Sequence, residues 1–147
     1  MVTVPKLTFV TSKDFMRYLL IIPLLLFFSC GNENNYPVAP TCMDAATYFI
    51  EACLKGDFNR ASFYMLQDDE NKHLLAVLKQ EYWLKSSKEK RAYNHASVII
   101  NDVSYVTENE VIINFKNSYD NYTRKVKVLQ QKGTWIVDLK YSGNGNL

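Results

Sequence analysis

The chain has 147 residues, 48% of them apolar and 14% aromatic, a composition that excludes a wholly disordered polymer. Its 17 basic and 15 acidic residues give a net charge of +2. Three of the basic residues, Lys6, Lys13 and Arg17, and one acid, Asp14, lie in residues 1–29, so the remainder is balanced at 14 and 14. A neutral domain offers no general electrostatic case for nucleic-acid binding, and no nucleic-acid partner is expected.

The first element is the apolar run from Tyr18 to Ser29, which leads directly into Cys30 and Gly31. About 12 helical positions cover only about 18 Å, whereas a bilayer core of about 30 Å needs roughly 20 residues. The run therefore reads as the apolar core of a signal segment rather than as a spanning helix. Arg17 and Lys13 supply its positive flank, and Ser29 is the small residue that precedes the cysteine of a bacterial lipoprotein signal. Residues 1–29 are read as that signal, and Cys30 as the lipidated first residue of the mature chain. Met16-Arg17 is the more conventional start, so translation is expected to begin at Met16 rather than Met1. The membrane is then a partner through the lipid on Cys30. Gly31, with no acid immediately following, gives no cue for inner-membrane retention. Outer membrane facing the periplasm is the expected location, with surface display as the alternative.

Residues 30–40 are polar and proline-spaced, as suits a flexible tether. The mature 118 residues suit a single domain, expected over residues 41–142 with a tail at 143–147. Thr41 and Asp44 make a capping pair for a first helix. Ala46, Phe49, Ile50, Cys53 and Leu54 follow on one helical face, and Gly56 ends it. Asp57 caps a second helix carrying Phe58, Ala61, Ser62 and Met65 inward. A third is expected over about 69–90, buried through Leu74, Leu75, Leu78 and Tyr82, with Val77, Trp83 and Leu84 widening the face. Its basic tail, Lys85 to Arg91, complements the helix dipole or contacts a phosphate or headgroup. Cys42 and Cys53, 11 positions apart, would stand about 16 Å apart on a helix, too far for a bridge. No metal site and no cofactor is expected.

From His95 the period becomes two. Strands are expected over 97–107, with a bulge in the first because its parity is mixed, then around Val111–Tyr119, Tyr122–Val128 and Trp135–Tyr141. The short connectors Glu108-Asn109-Glu110, Asp120-Asn121 and Lys132-Gly133 imply antiparallel neighbours. The fold class is α+β: about three N-terminal helices packed on a bent four-stranded antiparallel sheet, cone-like, with a tapering cavity at one end.

The stretch Ala46–Met65, with Gly56, Asp57, Phe58 and Ala61, and the closing run Gly133–Asp138 resemble the nuclear-transport-factor-2-like (cystatin-like) superfamily, and within it the small bacterial lipoproteins. The resemblance covers about residues 41–141. It implies a pocket rather than an activity, since members include ketosteroid isomerase, scytalone dehydratase, polyketide cyclases and many non-catalytic binding modules. The isomerases carry a catalytic tyrosine two turns before the Gly-Asp pair. That place is Phe49 here, without a hydroxyl, and their acidic loop is not recognisable.

The expected ligand-lining residues are Phe49, Asp102, Tyr105, Phe115, Tyr119 and Trp135, and no catalytic set is legible. His73 reads as an exposed helix residue and His95 as a cap at the helix-to-strand junction. The function expected is a cell-envelope lipoprotein whose domain binds a small molecule, a peptide or another envelope protein without chemistry of its own. The alternative is a pocket enzyme of the isomerase or dehydratase type using Asp102 or a histidine.

Overall fold

The structure, a computed structural model, describes residues 36–142. The signal segment, Cys30 and the tail at 143–147 lie outside the described residues. Among the described residues the architecture is α+β, with four helices and one four-stranded antiparallel sheet in the order β1-β2-β3-β4.

Helix α1 spans Cys42–Lys55. Thr41 caps it, its hydroxyl oxygen accepting from the Asp44 N–H at 3.1 Å. The Asp44 carboxylate accepts from the same hydroxyl at 2.6 Å rather than from the Thr41 backbone, so the pair is only half of the expected box. The buried face is wider than a single stripe: Ala45, Ala46, Phe49, Ile50, Ala52 and Leu54 are all enclosed. Phe49 is fully buried, worth about 2–3 kcal/mol of apolar transfer. The width has a structural cause, because α1 touches both the sheet and other helices. Gly56 stops α1 at φ 75°, its N–H returning to Ala52 and Cys53 carbonyls.

Asp57 then caps α2, Phe58–Phe63, by accepting from the Arg60 N–H. Phe58 and Ala61 are buried on it. Met65 is buried too, but beyond the helix, where it bridges Val137. Tyr36 to Pro40, within the stretch read as a tether, lies against α2: Tyr36 stacks on Phe63, and Tyr64 donates its hydroxyl to the Pro37 carbonyl at 2.8 Å.

The expected third helix is two. Helix α3 runs Asp69–Leu84 and α4 runs Ser87–Asn94, and the break is extended backbone at Lys85 and Ser86. Ser86 and Glu89 form a complete capping box, and this local bond set starts a new helix where periodicity alone would continue the old one. Leu75 and Leu78 are buried, but Trp83 and Leu84 are exposed, contrary to the widened face expected. Both close the last turn of α3, which ends at Leu84 directly before the break. Lys90 donates to the Trp83 carbonyl at 2.9 Å, so one basic residue of the tail satisfies the end of α3.

Strands β1 (Val98–Thr107), β2 (Glu110–Asn117), β3 (Arg124–Gln131) and β4 (Thr134–Asp138) form the sheet. β1 carries register shifts between Ile100 and Asp102 and between Tyr105 and Thr107, which explain its mixed parity. Val111, Ile113, Phe115, Val126, Val128 and Val137 bury the inner face. Lys132 and Gly133 both take positive φ, the pairing that matches a two-residue turn to strand twist. β4 is shorter than expected: Leu139–Tyr141 is a 3₁₀ turn, because the Asp138 carboxylate accepts from the Lys140 N–H and winds the chain.

One buried polar cluster ties the start of α3 to the end of β4. Asn71, fully buried on α3, donates to Asp68 at 3.0 Å and to Asp138 at 3.1 Å, and its Oδ1 accepts from the Leu139 N–H at 2.7 Å. Lys140 closes the cluster on Asp68 at 2.6 Å.

Candidate functional site

Five elements line one apolar throat. α1 supplies Ile50 and Cys53, α2 supplies Phe58, α3 supplies Leu78, α4 supplies Tyr93, and β2 supplies Phe115 and Asn117. The throat has a volume of about 40 Å³, room for about three water-sized groups. It shares Glu81, Lys85 and Tyr93 with a larger groove of about 480 Å³, whose other walls come from the β2–β3 connection: Asp120, Tyr122, Thr123 and Arg124. The α3–α4 break places Lys85 at the junction of the two spaces.

The polar groups of the groove are ordered by one ion pair. Arg124 grips Asp120 with two nitrogens, at 2.7 and 2.9 Å, and Tyr93 donates its hydroxyl to the same carboxylate at 3.2 Å. Burial alone would raise the Asp120 carboxyl. The Arg124 guanidinium and the Tyr122 N–H outweigh it and bring the group to about 2. Burial first, and then the Asp120 charge, push the Tyr93 hydroxyl up, so it stays a neutral donor. Tyr119 packs edge-on against Tyr93 at 4.9 Å, and Lys85 sits 5.0 Å above the Tyr93 ring. In the throat wall, burial pushes the half-buried Cys53 thiol up, which disfavours the thiolate.

The six residues expected to line a pocket are dispersed. Phe115 is in the throat. Phe49 is sealed in the core, and Trp135 is half-buried against it. Tyr119 supports the groove through Tyr93. Tyr105 is 70% exposed near Cys42, whose thiol raises its hydroxyl. Asp102 is exposed beside the first bulge of β1 and accepts from Ser104 at 2.9 Å. His73 and His95 are exposed, and neither they nor Asp102 line the throat or the groove.

Glu81, Tyr93, Asn117, Asp120 and Arg124 were not singled out as ligand residues from sequence, and Lys85 entered only within the basic tail read as a dipole complement or a phosphate or headgroup contact. Two signals pointed toward them. Ser86-x-x-Glu89 is a legible capping box that marks the break beside Lys85. Asp120 and Arg124 are opposite charges across a turn-prone connector. Among the described residues no group of acids, histidines and cysteines could hold a metal ion, and no helix is long and apolar enough to cross a membrane. No protein-family model and no curated protein matches the chain.

Proposed function

We propose that the chain is a cell-envelope lipoprotein, held to its membrane by a lipid on Cys30, whose domain binds a small molecule or peptide without chemistry of its own. The observation that carries the binding reading is the throat opening into the groove: an apolar floor under a polar mouth is the usual form of a ligand site. The anchoring half is supported by the short apolar run ahead of Ser29 and Cys30. The domain is read as a nuclear-transport-factor-2-like fold, its sheet bent cone-like about α1. The Gly56-Asp57 junction of α1 and α2 supports this. An isomerase- or dehydratase-type activity using Asp102 or a histidine finds little support, because those side chains stand in solvent, away from the groove.

A second reading, docking to another envelope protein through the sheet, is favoured by β1. It is an edge strand ten residues long, without lysine or proline, and it exposes Tyr105 and Val106. The opposite edge, β4, is partly covered by the Met65 bridge.

Mass spectrometry of the protein extracted from membranes under non-denaturing conditions tests the main reading. An acylated Cys30 terminus and a small molecule released on unfolding are the expected results. An unacylated terminus refutes the anchor, and a protein partner held through β1 in place of a small ligand moves the function to the second reading.

A further inference from the structure

Two hydrogen-bond donors of the site lack a protein acceptor. Asn117 is 1% exposed at the end of β2, where it lines the throat. Its Oδ1 accepts from the N–H groups of Tyr119 and Asp120, at 2.9 and 3.0 Å. Those two contacts fix which end of the amide is oxygen, and Nδ2 is left on the other side with no acceptor among the described residues. Lys85 borders the same throat, and its ammonium has no carboxylate within 4.0 Å among the described residues; it lies over the Tyr93 ring instead. Arg124 and the Tyr93 hydroxyl are both committed to Asp120. Glu81, one turn before Lys85, is exposed, where solvent screens its charge.

Among the described residues, Asn117 is a buried residue whose Nδ2 has no acceptor, and Lys85 is half-buried with its ammonium unpaired. Two donors free to face an apolar throat suit a ligand with paired acceptor oxygens and a short apolar tail. The geometry points to a small apolar carboxylate, taken either as a free acid or as the C-terminal residue of a peptide. Its oxygens accept from Lys85 Nζ and Asn117 Nδ2, and about three heavy atoms of its tail fill the throat against Leu78 and Phe115. This assignment rests on the ligand-binding reading above.

The test is an NMR titration of the full chain, following the Asn117 side-chain amide signal. The probes are butyrate, 1-butanol and butylammonium, then N-acetyl-leucine and a peptide ending in leucine. Butyrate is expected to shift the signal saturably, and both neutral and cationic probes to bind at least about tenfold more weakly. Lys85→Gln, at an element boundary, is expected to weaken butyrate about tenfold. Asn117→Asp keeps the acceptor for the turn but loses the donor, so butyrate binding disappears while the melting temperature shows the fold intact. Tighter binding of the peptide acid than of N-acetyl-leucine identifies a chain terminus as the source, and the reverse identifies a free acid. Butanol or butylammonium binding as tightly as butyrate, or unchanged affinity in Lys85→Gln, overturns the carboxylate assignment and leaves the binding site standing. If no probe shifts any signal of the throat or groove, the assignment and the binding reading both fall.

Discussion

Gly56→Ala is expected to be among the most damaging single-methyl additions in the domain, for two separable reasons. Gly56 has φ 75°, and a side chain held in the left-handed region costs about 1–2 kcal/mol. A Cβ built there also meets the Tyr82 ring, at 2.5 Å from Cε1, 2.7 Å from Cζ and 2.9 Å from the hydroxyl oxygen. Ordinary carbon contacts begin near 3.5 Å, so the ring must retreat by about 1 Å. Tyr82 is held edge-on by both Phe58 and Trp83, and overpacking of this kind costs about 1–3 kcal/mol. The total is about 2–5 kcal/mol. Gly133 isolates the first contribution: its φ is 79° with nothing within 4 Å, so Gly133→Ala should cost only about 1–2 kcal/mol. Urea unfolding followed by circular dichroism, with the slope checked for constancy, measures both. Tyr82→Ala should then relieve Gly56→Ala, leaving only the conformational cost in a double-mutant cycle. Equal losses for the two glycine variants, or no coupling to Tyr82, would refute the reasoning.

Three further outcomes are expected. Asn71→Ala removes the acceptor of the buried Leu139 N–H and one of the donors to the Asp138 carboxylate and should destabilise by about 2–4 kcal/mol; a loss under about 0.5 kcal/mol in urea would show the cluster to be incidental. Asp68 is held at about 2, first by the Asn71 N–H and then by Lys140, and Asp120 is also at about 2. Carboxyls lowered in the folded state stabilise it above the unfolded value near 3.9, so stability should fall as pH drops from about 4 to about 2. Asp120→Asn should flatten that slope in pH-dependent melts, and an unchanged slope would exclude Asp120 as a source. Finally, because burial raises the Cys53 thiol, iodoacetamide at pH 8 should label the Cys53 peptide far more slowly in the native chain than in urea. Equal rates would mean that the throat is open to solvent.

Much of the fold was legible because its signals are local. The Asp57 cap, the Gly56 stop and the β2 alternation Val111-Ile113-Phe115 each follow from a few neighbouring residues, and each stands where expected. The α3–α4 break was also local, but the apolar rhythm through Trp83 and Leu84 overrode the capping box behind it. The Asn71 cluster was not legible, since its partners lie 67 and 68 positions away and an asparagine inside a helix normally faces water. The groove failed for the same reason: Lys85 and Asn117 meet only through the packing of helices on the sheet. The tyrosine-rich strands drew attention to Tyr105 because aromatic strand composition does not distinguish a lining residue from an exposed one.

The Asn71 cluster also constrains when the domain can finish folding. Helix α3 exists early in the chain, but its buried amide has no acceptor or donor on the far side until Asp138 and Leu139 have been made. These two residues follow α3 by more than fifty positions, across all four strands. A growing polypeptide that has completed three strands therefore still lacks its clasp, and its sheet edge at Val137 is missing as well. The native state cannot outcompete open forms until residues through Leu139 have been made.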